Sequence, residues 1–207
     1  MHPTLVIATS NLGKLAEFRD FFSYLALDIK GFTEVLSSPV NMLEEGSTFA
    51  ENAIQKAQTV AQASQHITLA DDSGLQVDAL DGRPGLRSAR FAHEHATDAE
   101  NNAALIEALC HVTGSSPSLF RARFFCALAL VDPRHPSRQP HVVEGTCEGF
   151  VTTSPRGSHG FGYDPLFVVP ELDRTFAQLS PDEKKSVSHR ARAMRALQPT
   201  LEQIFNL

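Results

Sequence analysis

Residues 4–14 read TLVIATSNLGK. Thr4 to Ala8 is short, apolar and β-branched, as a buried strand should be, and Ser10-Asn11 supplies side chains that cap a helix. Behind them Leu12, Leu15, Phe18, Phe22 and Leu25 recur at helical spacing, while Lys14, Glu17 and Asp20 occupy the opposite face. A strand that passes through a short loop into a helix is how an alternating α and β chain begins.

The pattern extends outward from there. A strand is expected near Asp28 to Phe32, and Thr48-Phe-Ala-Glu51 is a capping box that opens a helix over 48–64 with Phe49, Ala53, Ala57 and Val60 on one face. Ile67 to Ala70 reads as a strand with Asp71 and Asp72 near its end, after which Leu75, Val77 and Ala79 alternate with Gln76 and Asp78 as in a half-buried extended segment. Thr97-Asp-Ala-Glu100 caps a third helix bearing Ala104, Leu105, Ala108, Leu109 and Val112. Leu119 to Val131 and Val142 to Val151 predict two long strands joined as an antiparallel hairpin, because the prolines of 132–140 forbid continued pairing there. Residues 154–165 are too rich in Gly and Pro for regular structure, and they allow backbone to approach a ligand closely. Met194, Leu197, Leu201, Ile204 and Phe205 share one face of a last helix, with Ser188 as its N-cap and a bend at Pro199. The class is α/β or α+β with a mixed sheet.

With 207 residues, 42% of them hydrophobic and 20% charged, the chain is expected to form a single domain over 1–207, in lobes. A net charge of -6 argues against a broad basic surface for a long nucleic acid, so any phosphate partner is small. The longest apolar run, Phe124 to Val131, is far short of a membrane span, and the N-terminus lacks the cationic start and apolar stretch of a secretory signal. A cytoplasmic protein without membrane or nucleic-acid partners is expected. Cys110, Cys126 and Cys147 have no C-x-x-C spacing and read as small buried residues in a reducing compartment.

Several stretches carry chemistry. Thr9-Ser-Asn-Leu-Gly-Lys14 opens a helix, where backbone N–H groups and a Lys hold phosphate oxygens, or else it is a plain helix cap with a solvated Lys. It is no P-loop, since Ala8 stands where that motif needs its first glycine. Glu44, just before the second helix, is either a ligand for a hard cation or part of an acidic first turn. A turn at a strand end explains one of Asp71 and Asp72 but not both. Neighbouring carboxylates that are poorly solvated repel unless a cation joins them or one becomes a base, which favours a metal or catalytic role. Ser188-His-Arg190, with Lys184 and Lys185 just upstream, gathers donors at the start of the last helix, suited to phosphate or to a carbonyl-bearing base, or to a surface basic cluster.

TSNLGK at 9–14, EEGSTFAENAIQKA at 44–57, LADDSGLQVDALDGRPG at 69–85, SARFA at 88–92, PRGSHGFGYDPLF at 155–167 and DEKKSVSHR at 182–190 together resemble, in order, the inosine/xanthosine triphosphate pyrophosphatase family. The resemblance implies an α/β protein, its central mixed and strongly twisted sheet flanked by helices, with two lobes and the nucleotide in a cleft between them. It implies a Mg²⁺-dependent homodimer that cleaves ITP, dITP and XTP to the monophosphate and pyrophosphate, clearing them from the nucleotide pool. Thr9, Ser10, Asn11 and Lys14 match the family's triphosphate loop, Glu44 a metal ligand, and Asp72 the metal-binding catalytic base. Ser73 lies at the substrate, and Phe161-Gly162-Tyr163-Asp164 forms the base pocket with Phe161 stacking on the purine. Lys184, His189 and Arg190 contact the nucleotide, Asp71 supports Asp72, and Lys56 is a further phosphate candidate. Departures from the pattern include Arg87 where Tyr is common and His93 where Gly is usual.

Overall fold

In the computed structural model, which describes residues 2–42, 44–113 and 119–207, the N-terminal strand β1 (Thr4–Ile7) lies between two parallel neighbours, β2 (Asp28–Gly31) and β3 (Thr68–Val77). Val6 and Ile7 pair with Thr68 and Leu69. Parallel neighbours need crossover helices, and the chain supplies them as α1 (Leu12–Phe21) and α2 (Phe49–Ser64). Asn11 caps α1 by accepting from the Lys14 N–H at 3.0 Å, and Thr48 caps α2 by accepting from the Glu51 N–H at 3.1 Å, as the capping residues predict. Leu15 and Phe18 of the apolar stripe are buried, but Leu12 is 80% exposed, because it stands in the first turn of α1 beside the 9–14 loop.

Among the described residues, seven strands are hydrogen-bonded in the order β2-β1-β3-β4-β5-β6-β7, completed by β4 (Leu119–Val131), β5 (His141–Thr152), β6 (Phe167–Val169) and β7 (Arg174–Thr175). β5 to β7 pair antiparallel, so the sheet is mixed, and with flanking helices the fold is α/β. The two long strands β4 and β5 are sheet neighbours joined by 132–140, as the prolines in that loop require.

One expectation is corrected. β3 does not stop at Ala70: it is one strand of 10 residues, and Asp71 and Asp72 lie in its middle. Every described position from Thr68 to Asp72 is buried, so the strand shows no polar alternation to read. Lys184 and Lys185, upstream of the last helix, lie on a short helix that the sequence reading does not anticipate, α4 (Pro181–Val187), followed by α5 (His189–Phe205). Ser180 and Glu183 form the capping box of α4, with Pro181 as its first residue. Pro199, where a bend is expected, lies within α5. Between β4 and α4, the short strands β6 and β7 are only three and two residues long, too brief to show a period.

The chain divides into two compact units. The first comprises Met1–Asp72, Cys126–Gly145 and Ala191–Leu207, and its core gathers Leu5, Ile7, Phe18, Phe22, Leu69, Leu128 and Leu197. The second comprises Ser73–Phe125 and Thr146–Arg190, and includes α3 (Asp98–Thr113); its core gathers Leu75, Leu105, Leu109, Phe167 and Phe176. Cys126 and Cys147 are buried in these cores, and Cys110 is partly exposed.

Candidate functional site

In the first unit, β3 carries two carboxylates into the interior: Asp71 is 1% exposed and Asp72 7%. Charges this deep need partners, and each has them. Lys14, from the first turn of α1, is salt-bridged to Asp71 Oδ1, and the Cys126 thiol donates to Asp71 Oδ2 at 3.1 Å. On the other side, Lys56 of α2 donates to Asp72 Oδ1 at 3.1 Å and to Glu44 Oε1 at 2.7 Å. Asn52, one turn before Lys56, donates through Nδ2 to Asp72 Oδ2 at 3.0 Å, while its Oδ1 accepts from the Gly46 N–H at 2.7 Å. Any Cβ at position 46 would stand 2.7 Å from that same oxygen, so glycine is what lets the Glu44 loop close onto α2.

Three carboxylates and two ammonium groups leave this cluster with one net negative charge. Burial raises the Asp72 carboxyl above its usual range, and Lys56, pulling the other way, does not fully offset it. For Lys56 burial alone would depress the ammonium, but Asp72 and Glu44 outweigh it and hold the charge on. A carboxylate that is ionised at some cost, beside a second carboxylate sharing its cation, accepts a proton or a further cation readily. Glu44 and Asp72 are hard oxygen donors converging on one positive charge, the donor type and number Mg²⁺ takes from protein when phosphate and water complete its shell. Thr9 Oγ1 accepts from the Asn11 N–H at 3.2 Å, which fixes the loop ahead of Lys14; Ser10 is exposed.

In the second unit, the loop 160–164 is built around Asp164. Its Oδ2 accepts from the Phe161 N–H at 3.0 Å and from Lys184 Nζ at 2.6 Å. Gly160 sits at φ +81°, and a Cβ there would fall 1.9 Å from Asp164 Oδ2, so this turn excludes any side chain. The Phe161 ring has Lys184 Nζ at 4.7 Å and the Arg190 guanidinium at 5.7 Å from its centroid, a ring face already in contact with positive charge. Arg190, only 2% exposed, also donates to Ser73 Oγ at 2.9 Å.

Tyr163 and His189, both taken from sequence as nucleotide contacts, are each 4% exposed. The Tyr163 hydroxyl is committed to the Ser88 carbonyl at 2.9 Å, and the His189 ring stacks on Phe124 with centroids 4.7 Å apart. Sequence reading missed Asn52, whose signal was present: Asn52 and Lys56 are i and i+4 on α2, polar residues beside the buried Ala53 and Ala57, and so committed to an internal partner. It missed Cys126 as well, since a thiol on an apolar strand carries no such mark.

The first unit thus holds a lysine–carboxylate cluster of the kind that meets phosphate and a hard cation, and the second, by itself, an aromatic ring faced by two cations. The comparisons make this specific. A model of the Ham1 family matches residues 5–200, and the chain belongs to that family. It is similar to a dITP/XTP pyrophosphatase of Geobacillus kaustophilus, 45% identical over 97% of this chain and 95% of that one. A dITP/XTP pyrophosphatase of Bacillus anthracis is 43% identical over 97% of each chain. Among solved structures, a HAM1 protein from Coxiella burnetii matches with a TM-score of 0.83 and 40% identity, covering 97% of this chain and 99% of that one. A nucleoside-triphosphatase / dITP/XTP pyrophosphatase from Mycobacterium abscessus matches with a TM-score of 0.71 and 38% identity, over 96% and 99%.

Proposed function

We propose that this chain hydrolyses ITP, dITP and XTP to the nucleoside monophosphate and pyrophosphate, removing deaminated purines before they enter DNA or RNA. The observation that carries the mechanism is the pair of carboxylates, Glu44 and Asp72, sharing the Lys56 ammonium at 2.7 and 3.1 Å. Mg²⁺ held by Glu44 and Asp72 would neutralise phosphate charge and make bound water more acidic.

The residues of the chain account for the rest. Lys14 and Lys56 offer positive charge to the triphosphate, and Asn52 fixes Asp72 by holding Oδ2. Asp72, its carboxyl raised by burial, takes the proton of the attacking water. The water oxygen bonds to the α-phosphorus, the bond to the bridging oxygen breaks, and pyrophosphate leaves. In the second unit the Phe161 face takes the purine. Arg190 and backbone N–H groups are donors, matched to a 6-oxo acceptor and mismatched to the 6-amino group of adenine, which would leave buried donors facing a donor.

Homodimeric assembly and a cytoplasmic location belong to the same reading. Among the described residues no helix is long and apolar enough to cross a membrane, and sedimentation of the purified protein tests the assembly. For the chemistry, ITP is incubated with enzyme and Mg²⁺ and the products are separated. Inosine monophosphate with pyrophosphate is expected; inosine diphosphate with inorganic phosphate would contradict cleavage at the α-phosphorus.

A further inference from the structure

The chemistry above makes no use of two polar side chains on one face of α3. Asp98 and Asn102 stand at i and i+4, and both reach Gly162. Asp98 Oδ2 accepts from the Gly162 N–H at 2.7 Å, and Asn102 Nδ2 donates to the Gly162 carbonyl at 2.9 Å. One helix thereby holds both backbone polar groups of a single residue. Gly162 has φ +60°, in the left-handed region that favours glycine, and it sits between Phe161, whose ring faces the two cations, and Tyr163, whose hydroxyl is tied down.

Asn102 bears a mark that packing alone does not account for. Its Oδ1 is buried with no hydrogen-bond partner among the described residues. A buried acceptor left unmet is costly. Leucine, close in size, would fill the position without that cost but could not donate to Gly162. The asparagine therefore gives up stability for the one bond its amide makes.

We infer that Asp98 and Asn102 are positioning residues for base recognition: by clamping Gly162 they fix the Phe161 ring in the orientation that receives the base. This rests on the reading of Phe161 as the stacking surface given above. Asp98 is exposed, so water competes for its carboxylate, and the deeper Asn102 carries more of the effect.

The test uses Asn102→Leu, Asp98→Ala and Asp98→Asn in the full-length protein, with KM and kcat measured on whichever nucleotide wild type prefers among ITP, XTP, ATP and GTP. Thermal midpoints are recorded alongside. Asn102→Leu should raise KM about tenfold with kcat within about twofold, and should melt no lower than wild type. Asp98→Ala should raise KM about threefold, and Asp98→Asn, whose amide oxygen still accepts from Gly162, should restore it. Unchanged KM in both Asn102→Leu and Asp98→Ala would overturn the inference. So would a fall in kcat that tracks a lowered midpoint in Asn102→Leu, the signature of a residue that only holds the fold. If wild type prefers ATP, the reading of a 6-oxo purine substrate fails, while the clamp is still decided by KM on ATP.

Discussion

Lys56 Nζ lies 3.1 Å from Asp72 Oδ1, both side chains about nine-tenths buried, and the same ammonium reaches Glu44. A cation so placed keeps two carboxylates close together when their mutual repulsion would otherwise separate them. Removing it should therefore be severe. Lys56→Met is expected to lose about 3–5 kcal/mol of stability, the usual result of breaking a buried pair on one side. Added Mg²⁺ should recover more of the thermal midpoint in this variant than in wild type, because a divalent ion replaces the lost charge; calorimetric melts with Mg²⁺ and with chelator check both.

Asp72 gives a pH prediction of definite sign. Its folded carboxyl is raised by burial, so its contribution to stability is present below the unfolded value and lost as pH rises through the folded one. Asparagine does not titrate. In chelator, the thermal midpoint of Asp72→Asn should therefore gain on wild type as pH rises from 4 toward 7, while pyrophosphate release falls by about a hundredfold or more. A variant that loses ground to wild type over that range would show the carboxylate to be stabilised by its lysine rather than strained beside it.

The turn under Phe161 is equally exposed to test. Gly160→Ala puts a methyl group where Asp164 Oδ2 stands, at a backbone angle of φ +81°. The Asp164 bonds to Phe161 and Lys184 should break together, and KM for ITP should rise by about tenfold or more. Phe161→Leu, which keeps the turn and removes only the aromatic face, should raise KM by a similar factor without changing the melting temperature. Steady-state kinetics and a melting curve on the two variants separate loop from ring.

What could be read from the sequence depended on whether local chemistry leaves a mark. Helix caps do, and Asn11, Thr48 and Thr97 each stand at the start of the helix expected. Lone polar residues on an apolar helix face do, so Asn52 was within reach. β3 reads short from sequence because burial on both faces removes the alternation that reveals a strand, and two aspartates at its centre look like a turn. α4 goes unread because its seven residues carry no apolar period, although Ser180, Pro181 and Glu183 spell out its start. The partners of Asp71 come from α1 and β4, 57 and 55 positions away in sequence, and only the fold brings them together.

The most direct measurement is the ratio of kcat/KM for ITP to that for ATP, with Mg²⁺ present, followed by pyrophosphate release. A 6-oxo group read by buried donors predicts a ratio of about a hundredfold or more in favour of ITP, with XTP close to ITP and no turnover in chelator. Equal rates on ITP and ATP would contradict the account.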